Sequence, residues 1–403
     1  MGRLFIRGNH EMITKEMSIQ EILKSYPQLI SIFDAKGLRG FDNEMILNKV
    51  GVHPLAFILE KKNMNAELFV TLLNESIEEQ QQDITLYNNF EKSAKINVVG
   101  LLPCPVRVPL MEQLNKYENI DDVNFNLRAA SEGLDWVSES VKLASDEEEL
   151  ADMYISAGFD LFFDQSLMKK FKDAKTFADI TSIEYNKDFN NDYLSLQDPS
   201  GDYSMISVVP AVFLVNKKIL GDRPMPTKWA DLFKPIYANS LSLPVGDFDL
   251  FNAILIHIYV EFGIEGVRSL KRNMVQALHP AQMVKGVKNN PPAISVMPYF
   301  FTKMAIPGGA MEAVWPEDGA IISPIFMLTK RSKADALKPI ADVFASEEIG
   351  RILSHQGLFP SVNALVDNNL GTKTFKWVGW EFINKTDIGS LLQELMTAFN
   401  EEA

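Results

Sequence analysis

One cysteine, Cys104, stands in 403 residues, so no intramolecular disulfide can form. That suits a reducing compartment, and it also suits the many exported bacterial proteins that lack disulfides. No run reaches the roughly 18 apolar residues needed to span a bilayer. The start, MGRLFIRGNHEM, offers only Leu4, Phe5 and Ile6 as an apolar block. A signal-peptide core needs about 7–15 such residues. As the sequence stands, the protein reads as cytoplasmic. The alternative is an extracytoplasmic protein whose natural leader is missing, with residues 1–11 a tag or a disordered start. The five histidines, His10, His53, His257, His279 and His355, are scattered without metal-ligand spacing. No H-E-x-x-H, G-x-S-x-G, Walker loop or G-x-G-x-x-G occurs. No metal, cofactor or enzymatic activity is therefore expected. A net charge of −14 argues against nucleic acid as the main partner, because phosphate binding needs a basic face.

What remains is ordinarily globular, with 46% hydrophobic and 23% charged residues, and long enough for two or three cores. Residues 12–80 read as a small all-helical domain. Ser18-Ile19-Gln20-Glu21 has the form of a capping box, followed by Ile22, Leu23 and Tyr26 at helical spacing. A later stripe comprises Leu68, Phe69, Leu72, Leu73 and Ile77. Residues 81–94 read as a polar linker. The "I-x-E-I-L-x-x-Y-P" start (Ile19 to Pro27) and the "I-F-x-x-x-G" that follows (Ile32 to Gly37) resemble a small helical domain of unknown function. That domain is found attached to hybrid-cluster and iron–sulfur-repair proteins. Much of that family carries a cysteine pair after the glycine. Here the stretch is Leu38-Arg39-Gly40-Phe41-Asp42, so an interaction or dimerisation module is expected in place of a redox role.

Residues 95–403 have α/β patterning. Ile96–Leu102 is an apolar strand leading through Pro103-Cys104-Pro105 into a helix, and 151–163 repeats the unit. Ile206 to Val215 reads as a buried strand ending at Asn216. Pro226-Thr227-Lys228-Trp229-Ala230-Asp231-Leu232 follows, then a short strand to Gly246. Asp247–Tyr259 is patterned as a helix and 262–290 as a helical pair. Ala293–Phe301 reads as an edge or hinge strand because of Pro298. The "VN" strand end, the "P-x-x-W-x-D-L" and the later "S-x-x-x-G-x-x-P-S-V-N" (Ser354 to Asn363) resemble the type 2 solute-binding proteins of ABC transporters. The likeness covers about 95–370. It implies a two-lobed α/β periplasmic-binding-protein fold. Lobe one would be about 95–206 plus 308–403, and lobe two about 207–307. It also implies a small-molecule or ionic solute held between the lobes by hinge closure, and an ABC permease as partner. A cytoplasmic sensor derived from such a protein is the related alternative.

In open α/β sheets, ligands bind beyond the carboxyl ends of the strands. Candidate contacts are therefore Cys104 and Arg107 after the first strand, and Asp164 and Gln165 after the second unit. Asp202, Tyr203 and Ser204 lie before the crossover, and Asp247 lies after the short strand. Tyr299, Phe300 and Trp315 lie near the lobe junctions. Aromatic faces beside carboxylates suit a cationic or heteroaromatic solute. The ferric branch of the resembling family often shows two adjacent tyrosines near Tyr299-Phe300, and Phe300 cannot supply a phenolate. Two other readings stand beside this one: an enzyme or redox protein using Cys104, and a scaffold acting through the helical domain.

Overall fold

The computed structural model describes residues 13–30, 33, 38, 40–41, 43–61, 70, 73, 95–116, 122–130, 134–245, 248–277, 291–305 and 309–401. The chain divides into two compact units, 1–90 and 91–403. In the first, the Ser18 hydroxyl accepts from the Glu21 amide at 3.1 Å, and the Glu21 carboxylate accepts from the Ser18 amide at 2.8 Å. This reciprocal cap opens helix α1 (Ile19–Ser25). Ile19, Ile22, Leu23 and Leu29 pack with Leu55, Ile58 and Leu59, where α2 is Glu44–Lys49 and α3 is Leu55–Lys61. Leu68, Phe69, Leu72, Ile77 and the expected linker lie outside the described residues.

The second unit is built on one mixed sheet in the order β2-β1-β3-β9-β4-β7-β5-β6. The strands are β1 Ile96–Leu102, β2 Val123–Ala129, β3 Met153–Ala157, β4 Tyr203–Asn216 and β5 Leu241–Leu243. They continue with β6 Met274–Ala277, β7 Ile294–Pro298, β8 Met311–Val314, β9 Ala320–Thr329 and β10 Phe375–Lys376. β8 joins β4 beyond the end of β9, and β10 pairs with β9. β4 and β9 lie mid-sheet and are covered on both faces, which is why their sequences run apolar without alternation. β4 pairs with β9 from Tyr203 to Ala211 and with β7 from Ala211 to Val215, so it carries the chain from one half of the sheet to the other.

Helices α4 (Arg107–Leu114), α5 (Asp135–Leu143), α6 (Gln165–Asp173), α7 (Phe248–Asn273), α8 (Ala334–Phe344) and α9 (Ile388–Asn400) cover the sheet. By length and composition alone, α7 could cross a membrane. Its Leu250, Phe251, Ile254 and Leu255 are instead fully buried, and the Phe251 ring meets Phe399 of α9 edge-on at 5.1 Å. Two expectations are corrected. The described part of the expected helical pair 262–290 is one helix and a strand: α7 runs through a kink at Gly263 to Asn273, Met274–Ala277 is a strand, and 278–290 lie outside the described residues. Nor is the strand containing Pro298 at an edge, because β7 lies between β4 and β5. Pro298 is tolerated because it is the last residue of that strand, where one missing donor costs least.

At the far end of β3, Asp152 is 3% exposed and makes a buried ion pair with Lys330 at 3.4 Å. Lys333 joins it at 2.9 Å, and the Asn97 amide donates to its other oxygen at 2.9 Å.

Candidate functional site

β3 and β4 are each antiparallel to β9, so they run parallel to one another. β1 and β2 run with β3. β7 and β8 run against β4, and β5 and β6 run with β7. The carboxyl ends of β1–β3 thus point at the crossover from one side, and those of β5–β8 point at it from the other. Loops at strand carboxyl ends are where such sheets hold ligands. Here two sets of them converge.

On the first side these loops are 103–107 after β1 and 158–160 after β3. On the second side, β7 runs into a 3-10 turn, Tyr299–Met304. The Tyr299 ring meets Trp315 edge-on at 5.1 Å, and the indole N–H of Trp315 donates to the Thr374 carbonyl at 2.8 Å. Phe300 stacks on Phe359 at 6.3 Å and 15°. Gly158 has φ +83°, a conformation that suits glycine. A Cβ there would lie 2.9 Å from the Asp249 Cα, so the two halves touch at this point. Among the described residues no His, Cys, Asp or Glu cluster could hold a metal ion.

A family model for bacterial extracellular solute-binding proteins matches residues 148–386, more than half of the chain. The chain belongs to that family. The fold agrees. The ferric binding protein from Campylobacter jejuni superposes with a TM-score of 0.55 at 16% identity, covering 76% of this chain and 99% of its own. The periplasmic binding protein AfuA from Actinobacillus pleuropneumoniae, solved with exogenous fructose-6-phosphate bound, gives 0.56 at 13% identity over 76% and 99%. The apo ferric ion-binding protein A of Pasteurella haemolytica gives 0.55 at 17% over the same shares. No curated protein matches the sequence significantly.

In this solute-binding protein several of the expected contact residues make packing, capping or hydrogen-bond contacts within the fold. Tyr203, Asp202 and Ser204 sit at the amino end of β4, and because β4 runs parallel to β3, that end lies away from the converging loops. Tyr203 is 1% exposed, stacks on Phe163 at 4.9 Å and donates its hydroxyl proton to the Phe162 carbonyl at 2.6 Å. The Ser204 hydroxyl donates to Asp179 at 2.6 Å. Burial pushes the Asp202 carboxyl above its ordinary range, opposed by Lys175. Asp164 caps α6 by accepting from the Ser166 amide at 2.8 Å, and Gly389 packs directly on its carboxylate. Gln165 donates to the Thr386 carbonyl at 2.7 Å, tying α6 to the C-terminal segment. Arg107 is buried and donates to the Leu127 carbonyl of β2 at 3.4 Å, so it braces the loop from behind. Asp247 and the side chain of Cys104 lie outside what is described. Tyr299 and Trp315, on the two sides of the loop that joins β7 to β8, are brought together. Gly158, Asp249, Lys303 and Phe359 were missed. Only Gly158 left a trace in the sequence, a glycine immediately after an apolar strand.

Close to the crossover, His257 of α7 is buried and donates through Nδ1 to the Ala253 carbonyl at 2.8 Å. Burial, reinforced by the charge of Lys376, lowers its pKa to about 4. Lys376 itself pairs with Glu261 at 2.6 Å and lies 3.6 Å from Asp318. The folded protein therefore binds fewer protons than the unfolded chain between pH ~6.5 and ~4. Stability attributable to His257 is intact above that window and falls as the pH drops through it, by about 3 kcal/mol at pH 4. Denaturant titrations at pH 7 and pH 4 should show this loss, reduced in His257→Gln. An equal loss in the variant would assign the acid sensitivity to other groups.

Proposed function

We propose that the solute sits between the carboxyl ends of β1 and β3 on one side and β7 on the other, with Tyr299 as the lobe-two wall and Trp315 holding its ring. The observation behind this is the convergence of seven strand ends on the β4–β9 crossover. Loop 103–107, including Cys104, follows the carboxyl end of β1 and remains a candidate contact, as does Asp247 from its place in the sequence after β5. Phe300 is engaged by Phe359 and contributes shape more than a ligand face. The protein acts by binding and release, without catalysis, and hands its solute to an ABC permease. Two structural neighbours are named for binding iron and one was solved with a sugar phosphate. A small ionic or phosphorylated solute is accordingly the class to try first.

The family is extracellular by description. We propose that setting over the cytoplasmic one expected from the N-terminus, and recovery from the cytosol on cell fractionation would count against it. We further propose that 91–403 is the binding unit and that the helical unit serves a protein contact.

A thermal-shift panel of ferric citrate, inorganic phosphate, sugar phosphates and polyamines identifies the solute. Tyr299→Ala should then weaken its binding by about 1–3 kcal/mol, through loss of a ring face and a hydroxyl. Unchanged affinity in Tyr299→Ala would place the site elsewhere.

A further inference from the structure

In a 3-10 helix, residues three apart eclipse one another. Within the turn Tyr299–Met304 this puts Phe300 and Lys303 on one face. Both reach across to the same short segment of the other lobe. The Lys303 ammonium donates to the carbonyls of His355 (3.2 Å) and Gln356 (2.9 Å). These carbonyls close the helical turn Ile352–Gln356, an end that favours a cation. Phe300 stacks on Phe359, with the Lys303 ammonium 5.9 Å from the Phe300 ring.

The receiving segment is held tightly. A Cβ on Gly357 would lie 2.5 Å from the Phe359 ring, and Leu358 adopts φ +51°, a strained backbone for a branched residue. The Ser207 hydroxyl reaches the carbonyls of Phe359 (2.8 Å) and Pro360 (2.9 Å), pinning this segment to β4 just before the crossover. The turn Ile352–Gln356 also packs on Cys104–Val106, at the loop bordering the candidate site.

We propose that Phe300 and Lys303 form an interlobe clasp on residues 355–359 that holds the lobes closed. They are positioning residues, and the clasp rests on reading the space between the lobes as the solute site. Release of the lysine and the ring frees lobe two to swing about the crossover. Seating them on the pinned segment returns it to one defined closed position.

The test needs no solute. In the full chain, with Cys104→Ser as background, Lys142→Cys on α5 and Lys218→Cys after β4 carry spin labels, one on each lobe, for a pulsed-dipolar distance measurement. The parent should give mainly one short distance. Phe300→Ala with Lys303→Ala should add a longer one, raising the open-to-closed ratio about tenfold, and Lys303→Arg should retain the parent distribution. An unchanged distribution in the double variant, or a lowered melting temperature without a change in distance, overturns the clasp. Failure of the site itself shows differently: the labels report opening while Tyr299→Ala leaves solute affinity intact.

Discussion

Tyr203→Ala should destabilise the protein by about 3–5 kcal/mol while leaving the folded fraction with normal solute affinity. The ring fills a packed layer between Phe163 (4.9 Å), Phe326 (5.4 Å) and Trp380 (5.5 Å). Its hydroxyl satisfies the Phe162 carbonyl, and the Lys172 ammonium lies 4.8 Å from the ring centre. Truncation would open a cavity, leave a buried carbonyl without its donor and remove a cation–π partner. Tyr203→Phe keeps the packing and removes only the hydrogen bond, so its loss should be nearer 1 kcal/mol. Chemical denaturation beside solute titration checks both. A binding defect with little loss of stability would restore Tyr203 to the site.

Asp152→Ala should cost a similar amount, about 3–5 kcal/mol, because it strands the Lys330 ammonium in the interior. Lys330 is itself 3% exposed, and only the Leu150 carbonyl at 2.9 Å would remain for it. The Asn97 amide at the base of β1 would also lose its acceptor. Replacing both partners with apolar residues, Asp152→Leu with Lys330→Met, should recover most of the loss, since a buried pair is expensive chiefly when it is broken. If the double variant is as unstable as the single one, the pair's hydrogen bonds to the backbone matter more than its charge.

The architecture was largely legible in the sequence. The apolar run Ile206–Val215, the Asn216 stop and Trp229 with Asp231 announce a strand leaving one lobe and a compact turn receiving it. In the structure the Asn216 carboxamide caps the next helix at the Lys218 amide (3.2 Å), and the Trp229 indole N–H donates to the Gly319 carbonyl at 2.9 Å. The site was less legible. Sequence order shows that Tyr203 opens a crossover strand, but strand direction decides which end of the sheet it occupies. Direction follows from pairing with β9, more than a hundred residues away. Asp164 illustrates a second limit, because a carboxylate just before a helix reads alike as a ligand contact and as a cap. Lys303 was invisible because its partners are backbone carbonyls, which have no sequence signature.

One residue of β4 governs more than its own place. Opposite β9 the register slips between Met205, facing Phe326, and Ser207, facing Ile325. The supernumerary Ile206 turns its carbonyl to the Val362 amide at 3.1 Å. The offset is taken up at that point, and the later residues meet consecutive partners on β9. Phe213 and Val215 enter the large core, and Leu214 enters a separate cluster with Met297. Ile206 therefore absorbs one residue of length, and pairing with β9 continues in phase on either side of it as the strand heads for the second lobe. Losing Ile206 would leave Met205 and Ser207 facing Phe326 and Ile325 in regular register with both faces unchanged, whereas a loss of two residues would exchange the faces beyond the deletion. The bulge is thus a store of one spare residue, the single length change this strand can absorb without turning its later side chains to the other face.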